Sequence, residues 1–164
     1  MKIWVDADAA PKDAKDIVFR ASTRLQVETV LVANQPLRVP AGHPLVTFEL
    51  VPGRPDAADH HILERTAVGD LVITADLPLA AALVARQVAV IDHRGAEWTS
   101  NNIGERVAHR NLMDVLREAG EITGGPSAYG PKERQAFAAT FDRVLTRCLK
   151  TKATINSVQS VQRQ

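Results

Sequence analysis

Acidic residues recur where apolar runs of this chain end. Asp6 and Asp8 follow Ile3-Trp4-Val5, Asp76 closes Leu71-Val72-Ile73-Thr74-Ala75, and Asp92 follows Val88-Ala89-Val90-Ile91. Asp56 and Asp59 stand at the head of a helix-like stretch. Unpaired carboxylates within ~4–6 Å raise one another's pKa, so a cluster of them holds a cation or shares protons. Hard carboxylate oxygens with few imidazoles suit magnesium or manganese better than zinc. Asp6 and Asp8 share one side of an extended backbone, and Asp56 and Asp59 share one face of a helix. Asp56 has a local use as an N-cap, which leaves Asp59 to reach an ion. Asp92 fits a ligand role and an Asp-Arg turn pair with Arg94 equally well. His60 and His61 are adjacent, so they point about 100° apart on a helix, and a structural role is expected for both rather than zinc binding. The chain has no Gly-rich phosphate loop and no Gly-x-Ser-x-Gly elbow.

These residues need a scaffold that gathers them. Five runs rich in Val, Ile and Leu, at 2–6, 27–33, 46–51, 70–75 and 88–92, read as strands buried on both faces of a parallel sheet. Helix-like segments at 11–24, 56–67 and 77–87 alternate with them in a β-α-β rhythm. In such an open sheet the C-terminal strand ends face one edge, where carboxylates distant in sequence converge. Beyond the fifth strand, Asn101-Asn102 is expected to cap a helix to Glu118 with Ile103, Val107, Leu112, Val115 and Leu116 inward. After a loop at Thr123-Gly124-Gly125-Pro126-Ser127, a helix over 131–150 puts Phe137, Phe141, Val144, Leu145 and Leu149 on one stripe. Residues 151–164 are polar and are expected to be a disordered tail.

The chain has 164 residues, enough for one domain over 1–150 that buries roughly 68–70% of its extended surface. A net charge of +1 gives no global argument for a nucleic-acid partner. The charge distribution is less even, because Lys132, Arg134, Arg143, Arg147, Lys150, Lys152 and Arg163 face only Glu133 and Asp142 after Pro131. The single cysteine, Cys148, excludes an internal disulfide and a cysteine-based zinc site, and fits a reducing compartment. With no apolar leader and no run of ~20 apolar residues, a cytoplasmic protein without a membrane partner is expected.

Taken together, Trp4-Val5-Asp6-Ala7-Asp8 with Pro11, Asp56-Ala57-Ala58-Asp59, Val72-Ile73-Thr74-Ala75-Asp76, Asp92-His93-Arg94-Gly95, Asn101-Asn102-Ile103 and Gly124-Gly125-Pro126 ahead of Phe137 form a specific pattern. From about residue 1 to 150 it resembles the YaiI/YqxD family of uncharacterised bacterial proteins, whose fold is similar to the PIN-like nucleases. The resemblance implies an α/β, PIN-like three-layer α/β/α sandwich with a central, mostly parallel five-stranded sheet and C-terminal helices. It also implies an acidic cleft for phosphodiester hydrolysis. Asp6, Asp59 and Asp76 match its catalytic acids, and Asp8 and Asp92 would be further ligands for Mg2+ or Mn2+. Arg94, Asn34 and Thr74 are the candidate substrate-binding residues, and RNA is the expected substrate. Two alternatives remain open: a PIN-like binding module that does not cleave, and a phosphohydrolase of the haloacid-dehalogenase type with Asp6 as nucleophile and Asp8 as acid/base.

Overall fold

The computed structural model describes the backbone of residues 1–162, and their side chains except those of 155 and 158–162. Arg163 and the final residue of the expected tail lie outside the described residues. In chain order the elements are β1 (Ile3–Asp6), α1 (Lys12–Leu25), β2 (Thr29–Ala33), β3 (Val46–Leu50), α2 (Ala57–Arg65), β4 (Leu71–Ile73), α3 (Leu77–Ala85), β5 (Ala89–Ile91), β6 (Glu97–Trp98), α4 (Ile103–Glu118) and α5 (Pro131–Gln162).

The strands form one sheet in the order β3-β2-β1-β4-β5-β6, parallel except for the β5–β6 pair. This is an α/β fold with six strands rather than the five expected. The additional strand, β6, has only two residues, Glu97 and Trp98, too few to show a periodicity in the sequence. Gly95, at φ +94°, makes the turn into β6. A Cβ at that position would stand 2.6 Å from the Ala136 backbone of α5, so the turn packs directly on the last helix.

Strand alternation sorts the core into two layers. Ile3, Val5, Leu31, Ala33, Leu71 and Ile73 face α1 and α5, where they meet Phe19, Phe137, Phe141, Val144 and Leu145. Trp4, Val30, Val32, Val72 and Val90 point to the opposite face, against Ile62, Leu79, Leu83 and Ile103 of α2, α3 and α4. The stripe expected on the last helix is therefore largely core, with the Phe137 and Phe141 rings stacked at 5.5 Å. Burying both faces explains why these strands read as continuous apolar runs.

Two expectations about the C-terminal third do not hold. Leu112 and Val115 of α4 are 57% and 60% exposed rather than inward, because only the N-terminal part of that helix, through Ile103 and Val107, meets the core. The backbone of α5 stays helical past residue 150, to Gln162, although Thr151 and Thr154 are exposed. Their hydroxyls donate to the carbonyls of Arg147 and Lys150 one turn back in the helix.

Asp70, the first residue of the 70–75 run, is a buried anchor at the N-terminal edge of the sheet. Its carboxylate accepts the Lys2 N–H at 2.7 Å, the Trp4 indole N–H at 3.1 Å and the Ala67 N–H at 3.1 Å. Three donors offset the desolvation of a buried carboxylate and tie the start of β1 to the start of β4.

Candidate active-site cleft

The strand order reverses at the β1/β4 boundary, since β2 and β3 lie on one side of it and β5 and β6 on the other. Ligand crevices of open α/β sheets form at such a switch point, beyond the carboxyl ends of the strands. Here the crevice is acidic. Asp6 continues the alternation that points Trp4 toward α2 and α3, and Thr74 does the same after Val72, so both side chains reach the same side of the sheet. The cleft encloses about 350 Å³ and is lined by Asp6, Asp8, Asn34, Asp59 and Asp76, with Ala9, Pro55, Ala58 and Ala75 between them. Ala58 is almost wholly buried, so no larger side chain stands between α2 and the sheet where Asp59 joins the site.

Internal hydrogen bonds orient three of the four carboxylates and leave the fourth without one. The Thr74 hydroxyl donates to Asp6 Oδ2 at 2.9 Å and accepts the Asp76 N–H at 3.0 Å. Asp8 Oδ2 accepts the Asn34 N–H at 2.7 Å, and the Asn34 side-chain amide donates to the Pro55 carbonyl at 3.1 Å. Asp76 is the N-cap of α3 and accepts the Leu79 N–H at 2.7 Å. In each pairing one carboxylate oxygen is held and the other is left over. Asp59 accepts no hydrogen bond from the described residues.

The electrostatics record the crowding. Burial pushes Asp6 above its ordinary value, the Thr74 hydrogen bond restrains it, and Asp8 and Asp76 add to the rise. Asp59 is raised from 3.8 to about 6, first by burial and then by the charges of Asp76, Asp6 and Asp56. Neither lysine nor arginine lines the cleft.

Other candidates fall elsewhere. Asp92 is not among the lining residues. Its Oδ1 accepts the N–H groups of Arg94 and Ala96, each at 2.9 Å, and so shapes the β5–β6 turn. Arg94 is directed to Ser127 and lies 4.0 Å from Glu133. Asp56 occupies the N-cap position of α2 without a side-chain cap bond, and lies 3.5 Å from Arg54 and 3.7 Å from His60. His61 pairs with Glu49 of β3. Two of the C-terminal cations, Arg143 and Arg147, both bind Glu97 of β6, which leaves the basic face smaller than the sequence indicates.

These features define an α/β protein with a carboxylate-lined crevice at its topological switch point. The chain belongs to the family described as "Uncharacterized BCR, YaiI/YqxD family", whose model matches residues 4–147. A UPF0178 protein of Pseudomonas fluorescens is 49% identical over 147 residues, covering 90% of this chain and 97% of the relative. A UPF0178 protein of Trichlorobacter lovleyi is 49% identical over 151 residues, with 92% and 97% covered. A UPF0178 protein of Myxococcus xanthus is 48% identical over 151 residues, with 92% and 98% covered. No solved structure matches the chain. Among the described residues no helix is long and apolar enough to cross a membrane.

Proposed function

We propose that the chain is a PIN-like, divalent-metal-dependent nuclease that hydrolyses phosphodiester bonds in RNA. The observation that carries this reading is the convergence of Asp6, Asp8, Asp59 and Asp76, from three separate parts of the chain, on one cleft without a lining lysine or arginine. So many uncompensated acids are costly for the fold, and a hard cation is the chemical reason to keep them. Asp6, Asp59 and Asp76 would hold Mg2+ or Mn2+, with Asp8 as an auxiliary ligand. When bound, such an ion lowers the pKa of water and neutralises charge on a phosphoryl group.

The protein's own contribution is orientation. Thr74 fixes Asp6 and the backbone that carries Asp76, Asn34 ties Asp8 to the start of α2, and α2 supplies Asp59. Among the described residues no three acidic, imidazole or thiol groups are already gathered closely enough to hold an ion, so uptake requires side-chain rotation in the cleft. That same spacing favours a second reading, a binding module that keeps the cleft without cleaving. The haloacid-dehalogenase-type route has less support, since Thr74, Asp8 and Asp76 are the groups acting on Asp6 and no cation is among them.

Asp76→Asn separates the first two readings, because asparagine caps a helix as well as aspartate does and the fold is kept. The nuclease reading expects heat of Mg2+ or Mn2+ binding, metal-dependent cleavage of RNA by the wild-type protein, and loss of cleavage in Asp76→Asn. Cleavage that survives this substitution refutes the assignment, and a wild-type protein that takes up neither metal favours the binding module.

A further inference from the structure

We propose that a second groove, beside the acidic cleft, takes the sugar-phosphate backbone of a single-stranded RNA on its way to the cleft. The proposal names where substrate lies and rests on the RNA reading above. The groove runs between α1 and the segment after β2. Lys12, Lys15 and Phe19 come from one face of α1, and Leu31, Leu37 and Arg38 come from β2 and the residues that follow it. Phe19 and Leu31 are buried and form an apolar floor, while the cations stand on the rim.

The lining of the groove carries three cations, Lys12, Lys15 and Arg38, against one acid, Asp16. Lys12 is paired with Asp16 at 2.7 Å. The side chains of Lys15 and Arg38 have no ion pair or hydrogen bond among the described residues, so two cations of the groove are uncompensated by protein. A cleft of four carboxylates repels phosphate, so a polyanion needs cations next to the cleft to be drawn in. The recess holds about 230 Å³, less than the ~300–1,000 Å³ of an ordinary small-molecule pocket, and suits a chain crossing it better than an enclosed ligand.

Continuity with the cleft is covalent. Ala9 and Asn34 line the cleft, and Lys12 and Leu37 line the groove. Three residues of chain span at most ~11 Å, which bounds the step from one to the other. The Asn34 N–H on Asp8 clamps the two connecting segments together at the boundary. The groove lies on the α1 face of the sheet, so a strand seated on Lys15 and Arg38 would cross the carboxyl ends of β1 and β2 at this clamp to reach Asp8 and Asp6.

The test is anisotropy titration of a short labelled oligouridylate with EDTA present, so that binding is read without cleavage. Lys15→Glu/Arg38→Glu is expected to weaken binding by about tenfold or more and to flatten the dependence of log K on log salt by about 1.4, or ~0.7 for each lost phosphate contact. The charge-matched control Arg106→Glu/Lys150→Glu, outside the groove, is expected to change binding by less than about twofold. Lys15→Gln/Arg38→Gln removes the charges without reversing them and keeps the test available if the reversal disturbs the fold. Undiminished binding by a folded groove variant overturns the proposal, as does equal loss in the control or no binding by the wild-type protein. Groove-dependent binding by a protein that never cleaves with Mg2+ or Mn2+ would remove the hydrolytic reading and leave the groove standing.

Discussion

Replacing Asp59 with asparagine is expected to stabilise the metal-free protein at neutral pH. Burial, then the charges of Asp76, Asp6 and Asp56, raise this carboxyl from 3.8 to about 6 in the folded state. A folded carboxyl that holds its proton more tightly than the unfolded one favours folding while it is protonated. The advantage is present below the unfolded pKa, is lost as pH rises from about 4 to about 6, and leaves a deficit above that window. At ~1.4 kcal/mol for each tenfold change in proton affinity, the displacement is worth at most about 3 kcal/mol. Asp59 is only half-buried, and solvent screening reduces this to about 1 kcal/mol. Asparagine keeps the shape and removes the charge, so the variant should gain about 1 kcal/mol near pH 7.5, or ~2–4 °C in Tm for a chain of this size. Urea denaturation of both proteins in EDTA, from about pH 4 to pH 8, reads the difference. A variant that is less stable at pH 7.5, or a difference that does not shrink toward pH 4, refutes the claim that crowded charge burdens the fold.

Thr74→Val keeps the shape of the side chain but strips Asp6 of a donor and the Asp76 N–H of its acceptor, at an expected cost of about 1–3 kcal/mol in chemical denaturation. It should also raise the Asp6 pKa further, read by carboxyl-carbon NMR titration, because the lost bond stabilised the charged form. Gly95→Ala must adopt φ +94° and place a methyl against the Ala136 backbone, so a loss of roughly 2–5 kcal/mol is expected by thermal denaturation.

The parallel core strands were readable because burial on both faces writes unbroken apolar runs, and the acids after Val5 and Ala75 marked their ends. What sequence patterns could not carry were features set by tertiary contact. β6 exists because its turn docks on α5, and two residues have no period of their own. The outward face of Leu112 and Val115 reflects how much of α4 reaches the core, a matter of where the helix lies rather than of its pattern. Asp92 carried the same local signature as Asp76, but its carboxylate folds back on its own turn and lies outside the cleft lining. Asp70 opens the run 70–75 that reads as a strand, and nothing in its neighbours marks it as an anchor. Two of its three donors, the Lys2 N–H and the Trp4 indole, come from the distant start of the chain.

Asp70 sits at one end of the paired β1 and β4 strands, and the cleft opens at the other. The pairing register Ile3↔Leu71 and Val5↔Ile73 is set beside Asp70, where Lys2 and Trp4 are pinned to it. Four residues of β1, about 13 Å of strand, then carry that alignment to Asp6 and Thr74. The two strands behave as a calibrated ruler whose zero mark lies on the far side of the molecule from its reading edge. Slipping the ruler by one notch would swing every side chain on it to the other face, Asp6 included. The spacing of the acidic mouth is thereby governed from the opposite end of the strands.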